Sequence, residues 1–208
     1  EGCDRILVLP LYPQYSATTV GSVMDEVARW VQSTRNVPEL RLVRDYCDNE
    51  RYIGALAQSV TQHWQQEGRG DKLLMSFHGV PQRMIDLGDP YQQQCRQTAT
   101  HLASRLGLAD EQWEVTFQSR FGPAKWIGPA TDATLKQLGK SGLGRLDVIC
   151  PGFVSDCLET LEEIAMEGKE LFEEAGGGQL RYIPCLNDIE SHITMMDRII
   201  ERELQGWL

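Results

Sequence analysis

The sequence predicts an α/β fold built on a parallel sheet with helices on both faces. Short apolar runs alternate with longer stretches of helical periodicity along all 208 residues. The apolar runs are continuous rather than alternating with polar residues, as expected of strands buried on both faces. Gly and Pro stand at the junctions, and the 41% apolar and 24% charged residues are typical of a globular protein.

The first third of the chain predicts two strands and two helices. The apolar run 6–9 ends at Pro10 and predicts a buried strand. Apolar residues recur at helical spacing over 20–31, after a group of Ser and Thr residues suited to capping. A second strand is predicted over 41–46, and glycines end a second helix predicted over 53–64.

The middle of the chain predicts two further strands, each followed by a helix. The run 73–77 predicts the third strand, and a helix over 89–106 follows it and ends at a glycine. A fourth strand is predicted over 113–118. A loop rich in Gly and Pro, 122–129, separates this strand from a helix predicted over 132–138.

The last third of the chain repeats the same order. The run 146–150 predicts a fifth strand, which a Pro-Gly pair stops. A long helix is predicted over 156–174 and is closed by three consecutive glycines. A sixth strand over 180–184 and a final helix over 188–204 complete the predicted elements.

Charge and cysteine content exclude several classes of protein. With 20 basic and 30 acidic side chains, the net charge of −10 disfavours binding to nucleic acid phosphates. The six cysteines are scattered without a C-x-x-C pair, which disfavours a disulfide scaffold or zinc ribbon and indicates a reducing compartment. No apolar run approaches the ~18–20 residues of a membrane helix. The start at Glu1, with strand-like residues by Ile6, predicts a piece of a longer protein.

Ligands of parallel α/β sheets bind beyond the carboxyl ends of the strands, so functional residues are expected in the loops that follow the strands. His78 ends the third predicted strand and is followed by Gly79, so an imidazole is expected at the mouth of the sheet. Such a group can accept a proton near neutral pH or bind a metal. The alternative is a histidine that only hydrogen-bonds a turn carbonyl.

A row of carboxylates follows the fifth predicted strand. Glu159, Glu163 and Glu167 recur every four residues, and Asp156 and Glu170 extend the row. Such a row suits proton conduction or a hard divalent cation. The alternative is a capping box of Asp156 with Glu159 followed by a solvated helix face.

Two loops combine aromatic, basic and bent-backbone features. The segments 118–123 and 126–129 offer Arg120, Trp126 and several glycines and prolines, which suits a flat anionic aromatic ligand. The segment 12–16, after the first strand, has similar features. The alternative is ordinary long loops anchored to the core by Trp126. Nothing local predicts an activated thiolate at either cysteine near the fifth strand.

One long stretch around His78 and four shorter ones match a known family. Residues 73–81 read LLMSFHGVP. Four polar or turn residues follow at characteristic positions: Asp86, Gly88, Asp89 and Tyr91. The shorter stretches agree in the same order: 12–16, 117–119, 126–129 and 153–163. Together they resemble the ferrochelatases, which insert ferrous iron into a porphyrin in haem synthesis, and the likeness is greatest to proteobacterial members.

This resemblance implies a chelatase-like fold of two Rossmann-like lobes with parallel sheets and flanking helices, of which the N-terminal lobe is largely missing. Residues 1–38 would end the first lobe, and residues 39–187 would form the second lobe with the metal-insertion site. Residues 188–208 would form a C-terminal helix that packs back across the lobes. Without the first lobe, the isolated chain is expected to be weakly active or inactive.

The resemblance also assigns residue roles. His78 and Glu159 match the catalytic pair, both treated as iron ligands, and Glu163 and Asp156 would extend a proton or metal path. The residues implied in porphyrin binding are Tyr12, Tyr15, Gln118, Ser119, Arg120, Trp126 and Phe153. A neutral imidazole can take a pyrrole proton, and a carboxylate can stabilise the cation that results.

The implied reaction is lyase chemistry in which Fe2+ enters protoporphyrin IX, protohaem forms and two protons leave. Iron is a substrate here, and no tightly bound cofactor is expected. Ala17 stands where cluster-containing members have a cysteine, so no 2Fe–2S cluster is expected, and Cys157 replaces a histidine of some members. The expected partners are protoporphyrin IX, ferrous iron and the missing lobe, without nucleic acid.

The implied location is the cytoplasm, and a peripheral contact with the inner membrane stays open because the substrate is hydrophobic. Two other functions also stay open. One is a chelatase for another tetrapyrrole or metal, such as coproporphyrin or cobalt. The other is a non-catalytic porphyrin- or haem-binding module, which would not need His78 together with Glu159.

Overall fold

The computed structural model describes residues 2–207 and confirms the α/β class, with parallel pairing in every strand pair among them. The six strands form two sheets rather than one. A two-stranded sheet pairs β1 (Arg5–Val8) with β2 (Glu39–Leu42). The other sheet has the order β4-β3-β5-β6, from β3 (Lys72–His78), β4 (Trp113–Gln118), β5 (Arg145–Ile149) and β6 (Gln179–Ile183).

Helices connect successive strands, as the sequence predicts. The α-helices are α1 (Ser22–Ser33), α2 (Glu50–Glu67), α3 (Gln82–Asp86), α4 (Tyr91–Leu106), α5 (Thr131–Lys140), α6 (Leu158–Leu161), α7 (Lys169–Glu174) and α8 (Glu190–Glu203). Two π-helical segments, Ala17–Gly21 and Glu163–Gly168, precede α1 and α7, and a 3-10 turn at Asp110–Gln112 leads into β4. Within residues 2–207, no helix combines the length and apolarity needed to cross a membrane.

The second strand lies two residues earlier than predicted and is shorter. It covers Glu39–Leu42 instead of 41–46, because its partner β1 ends at Val8. The backbone N–H of Val43 still donates to the carbonyl of Val8, and beyond it β2 has no strand to pair with. The buried Val43 and Tyr46 supply the apolar pattern that resembles a strand.

The helix predicted over 156–174 is divided in the structure. The short α6 is followed by the π-helix Glu163–Gly168 and then by α7. In the π-helical segment the backbone N–H of Glu167 donates to the carbonyl of Glu162, five residues back. The wider turn changes which side chains share a face, so the four-residue spacing of carboxylates in the sequence does not give one straight row.

The four-stranded sheet is buried on both faces, which explains its continuous apolar runs. Leu73, Met75 and Phe77 of β3 pack with residues of α2 and α4. Leu74, between them, points to the opposite layer, where Leu135 and Phe172 lie. This alternation fixes the strand register, since a slip of one residue would exchange the two faces.

The β1–β2 sheet contacts the C-terminal end of the chain. Arg5 donates to the carbonyl of Trp207, and the Arg41 guanidinium lies 4.1 Å from the centre of the Trp207 ring. Arg41 also donates to the carbonyl of Gln205 at 2.9 Å. Because β2 begins at Glu39 and pairs with β1, this sheet spans the predicted boundary between residues 38 and 39. The division into 1–38, 39–187 and 188–208 stays a prediction.

A buried ion pair joins β5 and β6. Asp147 is 0% exposed and accepts a hydrogen bond from Arg181 Nε at 2.8 Å, across the strand pair. The Trp64 indole N–H and the Gly70 backbone N–H donate to the other carboxylate oxygen, at 2.6 and 2.9 Å. A Cβ at Gly70 would lie 2.6 Å from that oxygen, so the close approach requires glycine.

Candidate functional site

His78 is the last residue of β3, the strand that lies between β4 and β5. Its Nδ1 lies 2.7 Å from the carbonyl oxygen of Gly79. Because a carbonyl can only accept, this bond places a proton on Nδ1, so the neutral form of the ring has its lone pair on Nε2. His78 can therefore hydrogen-bond the Gly79 carbonyl through Nδ1 and still accept a proton or bind a metal through Nε2.

Gly79 is required by the tight packing behind His78. A Cβ at this position would lie 2.8 Å from the carbonyl oxygen of Gln118 and 3.2 Å from the ring of Trp126. Any other residue would push β3 away from β4 at the point where the imidazole is presented. The His-Gly pair of the sequence thus places the histidine at the sheet edge.

Glu159 lies in the first turn of α6, directly after the loop that follows β5. A hydrogen bond with the Cys157 side chain, a backbone hydrogen bond and the charge of His78 together lower the pKa of Glu159, against a small opposing effect of burial. The carboxyl is therefore ionised at neutral pH. Since β5 is the neighbour of β3, adjacent strands deliver His78 and Glu159 to the same edge.

The two side chains line one cleft of about 740 Å³, within the range of small-molecule sites. The lining residues follow β1, β3 and β5 and include Tyr12, Gln14 and Phe153. The ring of Phe153 lies 6.3 Å from that of His78, with 45° between the planes. The cleft therefore offers aromatic walls and a titratable pair.

A second hollow of about 560 Å³ adjoins the first and is lined by carboxylates. Glu162, Glu163 and Glu167 line it, and Arg120 adds one positive charge to this acidic lining. Three residues line both spaces: His78, Phe121 and Glu159. The imidazole and the ionised carboxylate thus stand between an apolar cleft and an acidic hollow.

Some residues implied in porphyrin binding lie outside the apolar cleft. Tyr15 stacks under the Arg44 guanidinium at 4.3 Å, and its backbone N–H donates to Gln94. Trp126 supports Phe121: their ring centres are 5.0 Å apart, and the indole N–H donates to the Phe121 carbonyl at 3.0 Å. Tyr12 and Phe153 are the members of the implied set that line the cleft.

The remaining members of that set lie at the end of β4 and after it. Arg120 lines the acidic hollow and pairs with Asp132 at 2.7 Å. Ser119 also lines this hollow, and its backbone adopts φ 61°, a left-handed conformation uncommon for serine. Gln118 is 2% exposed and lines neither space.

Glu163 is held by the end of β4. Its Oε1 accepts from the Ser119 backbone N–H at 2.6 Å, and its Oε2 accepts from the Ser119 hydroxyl at 2.5 Å. The Gln118 side-chain amide donates to Oε2 as well, at 3.3 Å. Glu163 thus lines the acidic hollow with both oxygens engaged, at the first residue of the π-helix.

Asp156 is not brought to either space among the described residues. Its Oδ1 accepts from the Tyr182 hydroxyl at 2.6 Å, and its Oδ2 accepts from the Asn187 side chain at 2.8 Å. The Asp156 backbone N–H donates back to Asn187 Oδ1 at 2.8 Å. Asp156 therefore ties the loop after β5 to the loop after β6. It also does not form the capping box considered with Glu159, since Cys157 occupies the N-cap position of α6.

The Asp156 tie gives a pH-dependent contribution to stability. Burial alone would raise the pKa of Asp156, but hydrogen bonds from Asn187 and Tyr182 outweigh it and lower the pKa from its ordinary 3.8. The contribution is therefore complete above the unfolded pKa and is lost as the pH falls through the folded one. We expect Asp156→Asn to flatten the acid dependence of the unfolding midpoint below about pH 4. Thermal unfolding across that range, with Asp132→Asn as the exposed control, measures this; unchanged acid dependence in Asp156→Asn would contradict it.

Three residues that matter for the site are missed by the sequence interpretation. Phe121 falls within a loop that the sequence marks only as aromatic and bent. Gln14 is 2% exposed at the wall of the cleft and donates to Thr98 at 3.0 Å. Asn187 has φ 46°, which asparagine tolerates, but its sequence context offers no other signal.

The candidate site holds a pair of donors rather than a closed metal cage. Among residues 2–207, no three His, Cys, Asp or Glu side chains converge as a metal-binding group. An imidazole nitrogen and a carboxylate are acceptable ligands for ferrous iron, and two ligands hold an ion more loosely than a full protein shell. This arrangement suits a metal in transit.

The fold and the edge site define an α/β protein of parallel sheets with its candidate site beyond the carboxyl ends of the strands. The solved structure described as "CbiX, the terminal Enzyme for Biosynthesis of Siroheme in Denitrifying Bacteria" superposes with a TM-score of 0.62. The alignment covers 97% of this chain and 76% of that one at 15% identity, so it bears on the fold alone.

The sequence comparisons are more specific. The model of the ferrochelatase family matches residues 1–204, and the chain belongs to this family. It is 57% identical over 206 residues to the ferrochelatase of Thioalkalivibrio sulfidiphilus, and 55% identical over 208 residues to that of Aromatoleum aromaticum. These alignments cover 99% and 100% of this chain but only 56% and 57% of the relatives. The chain thus spans little more than half the length of the curated relatives it matches, and the predicted resemblance is confirmed.

Proposed function

We propose that the protein containing this chain is a ferrochelatase, a lyase of haem biosynthesis that inserts Fe2+ into protoporphyrin IX and releases two protons. The observation that carries the proposal is the position of His78 and Glu159 between the apolar cleft and the acidic hollow. A flat hydrophobic macrocycle suits the first space, and a cation or protons suit the second. Membership of the family supports the same reaction.

In this proposal, His78 and Glu159 divide the proton and metal chemistry. The free Nε2 of the neutral imidazole accepts a pyrrole proton as the metal approaches. The ionised Glu159 stabilises the resulting imidazolium and gives the arriving cation an oxygen ligand. Their loose hold lets iron move on into the macrocycle, which is the stronger ligand set.

The carboxylates of the acidic hollow form the proposed route for protons or metal. Glu163 stands at its wall with Ser119 and Gln118 donating to it. Glu162 and Glu167 continue the acidic lining. The proposed route leaves out Asp156, because among the described residues it lines neither the cleft nor the acidic hollow.

We further propose that residues N-terminal to this chain form a first lobe that covers the β1–β2 side. Helix α1 has no buried residue, although its apolar residues recur on one face, and its Trp30 is 40% exposed. Exposed apolar side chains at the cleft, among them Leu11 at 53%, suit contact with that lobe, the porphyrin or a membrane surface. The proposed location is the cytoplasm, with peripheral contact at the inner membrane.

The absence of a resident cluster is also part of the proposal. Ala17 occupies the position at which cluster-containing members have a cysteine, and its backbone N–H donates to Asp89 at 2.8 Å. We expect the purified full-length protein to lack the visible absorption and acid-labile sulfide of a 2Fe–2S cluster. Either signal at one cluster per chain would contradict this.

The decisive experiment is anaerobic insertion of Fe2+ into protoporphyrin IX by the full-length protein, followed by the loss of free-porphyrin fluorescence. Turnover supports the proposal. Turnover only with coproporphyrin or only with cobalt would shift it to a related chelatase. Porphyrin binding without insertion of iron, zinc or cobalt would favour a non-catalytic module. The 208-residue chain, assayed beside it, is expected to turn over weakly or not at all.

Phe121 offers a test of which space receives the porphyrin. Its ring is 74% exposed and lines both spaces, whereas Leu158, 73% exposed, lines only the acidic hollow. We expect Phe121→Ala to raise the porphyrin KM about 5–30-fold, the loss of roughly 1–2 kcal/mol of aromatic contact. Leu158→Ala should leave the porphyrin KM within about twofold. The reverse order of effects would place the porphyrin elsewhere.

A further inference from the structure

Gln118 is a buried amide whose four hydrogen-bonding directions are largely used. It is the last residue of β4, is 2% exposed, and lies beside His78 in the strand register. Its Oε1 accepts from the Ser76 hydroxyl at 2.8 Å and lies 3.6 Å from the Cys150 sulfur. These contacts fix the amide from the β3 and β5 sides.

The donor end of the same amide points to the helical segment that carries the site carboxylates. Gln118 Nε2 donates to the backbone carbonyl of Glu159 at 2.5 Å and to Glu163 Oε2 at 3.3 Å. One side chain thus joins β3, β4 and the residue after β5 to the first turn of α6 and to the start of the π-helix. Within the short α6, Leu158 and Leu161 are 73% and 48% exposed. The side chain of the buried Thr160 bonds, within residues 2–207, only to Cys157 and Asp156 in the loop before the helix. Gln118 therefore supplies the side-chain link from α6 to the sheet.

We propose that Gln118 is a positioning residue, which sets the distance of the Glu159 carboxylate from His78 by holding the Glu159 backbone against the sheet. The inference rests on the proposed metal insertion, and it replaces the porphyrin-binding role that the family resemblance implies for this residue. Ser119 assists through Glu163, whose carboxylate it clamps with its N–H and its hydroxyl.

The role requires an amide rather than any side chain of that size. Glutamine accepts from the Ser76 hydroxyl and donates to the Glu159 carbonyl with one side chain. Gln118→Met keeps the volume but removes both of these bonds, and the Ser76 hydroxyl keeps only its contact with Thr131 at 2.9 Å. Gln118→Glu keeps the acceptor but sets a carboxylate against the Glu159 carbonyl and the Glu163 carboxylate.

The test measures kcat and porphyrin KM of the full-length protein with Gln118→Met, together with Ser119→Gly. Substitutions of groups that orient metal ligands typically cost about 10–100-fold in activity, and we expect a loss of this size in kcat with the porphyrin KM within about twofold. Ser119→Gly should change kcat in the same direction by a smaller factor. Because φ 61° suits glycine, this variant is expected to fold at least as well.

A control separates positioning from general loss of stability. Trp64→Phe removes the indole donor to the buried Asp147, far from the cleft residues, and should lower stability without changing kcat. Amide hydrogen exchange of the 208-residue chain supplies a readout independent of activity. Residues 158–163 should exchange faster in Gln118→Met and not in Trp64→Phe.

The outcomes are distinguishable from failure of the proposed function. If the wild-type protein inserts no metal, the proposed function fails, and the hydrogen exchange still decides whether Gln118 holds α6. A rise in porphyrin KM with unchanged kcat would restore a porphyrin-binding role and overturn the inference. Unchanged kcat, KM and exchange in Gln118→Met would overturn it as well.

Discussion

The rate of iron insertion by the full-length protein should fall by about 10²–10⁴-fold when His78 is replaced by alanine, the usual contribution of a positioned acid or base. His78 presents its Nε2 lone pair at the cleft because Nδ1 is bound to the Gly79 carbonyl. Alanine removes the imidazole and with it the proposed proton acceptor. Porphyrin binding should persist, because aromatic residues of the cleft wall remain.

Two further variants make this expectation specific. Glu159→Gln keeps the shape but removes the charge that stabilises a protonated His78, so its rate should also fall. His101→Ala removes an exposed histidine on α4 and should leave the rate unchanged. Initial rates of porphyrin fluorescence loss under anaerobic conditions compare them. A His78→Ala variant nearly as fast as wild type would leave the reaction in place and remove the assigned site.

The largest effect on stability is expected at Asp147. Replacing it by alanine should lower the free energy of unfolding by about 3–5 kcal/mol, because the buried Arg181 guanidinium then loses its counter-charge. The Trp64 indole N–H and the Gly70 N–H also lose their acceptor. His63, whose Nε2 lies 3.7 Å from Asp147, cannot replace the lost charge, because an imidazole supplies no negative charge to the guanidinium.

Urea unfolding of the 208-residue chain measures this effect against a surface control. Asp132→Ala breaks the ion pair with Arg120, in which the Asp132 side chain is 57% exposed and the Arg120 side chain 42%. This substitution should lower the free energy of unfolding by less than about 1 kcal/mol. A loss at Asp147 as small as that at Asp132 would mean that water or neighbouring groups compensate the buried charge. The buried pair of Asp147 and Arg181 would then contribute little to holding β5 and β6 in register.

The fold follows from local patterns wherever both faces of a strand are covered. The run 73–77 predicts β3 closely because its alternate residues enter two different apolar layers. The second strand is misplaced because its length depends on Pro10 and the end of β1, which is a property of the partner. The five-residue helix Gln82–Asp86 is too short to show a period.

The site was predictable to the extent that strand order brings loop residues together. His78 and Glu159 follow β3 and β5, and parallel neighbours share one carboxyl edge. The uses of Gln118 and Asp156 were not predictable, because they depend on which way a buried or half-buried side chain turns. The division of the helix predicted over 156–174 could not be predicted either. A π-helix that begins at Glu163 adds one residue to a turn without interrupting the apolar pattern.

The contact of Arg5 with Trp207 joins positions 202 residues apart. At the usual speed of synthesis, about 5–20 residues per second, the β1–β2 sheet waits roughly 10–40 s on the ribosome before its C-terminal partner exists. During that interval the four-stranded sheet can already close, because its strands all precede α8. Within this chain, β1 and β2 are therefore made before the four-stranded sheet but completed after it, and their unpaired contact surface stays open to chaperones during that interval.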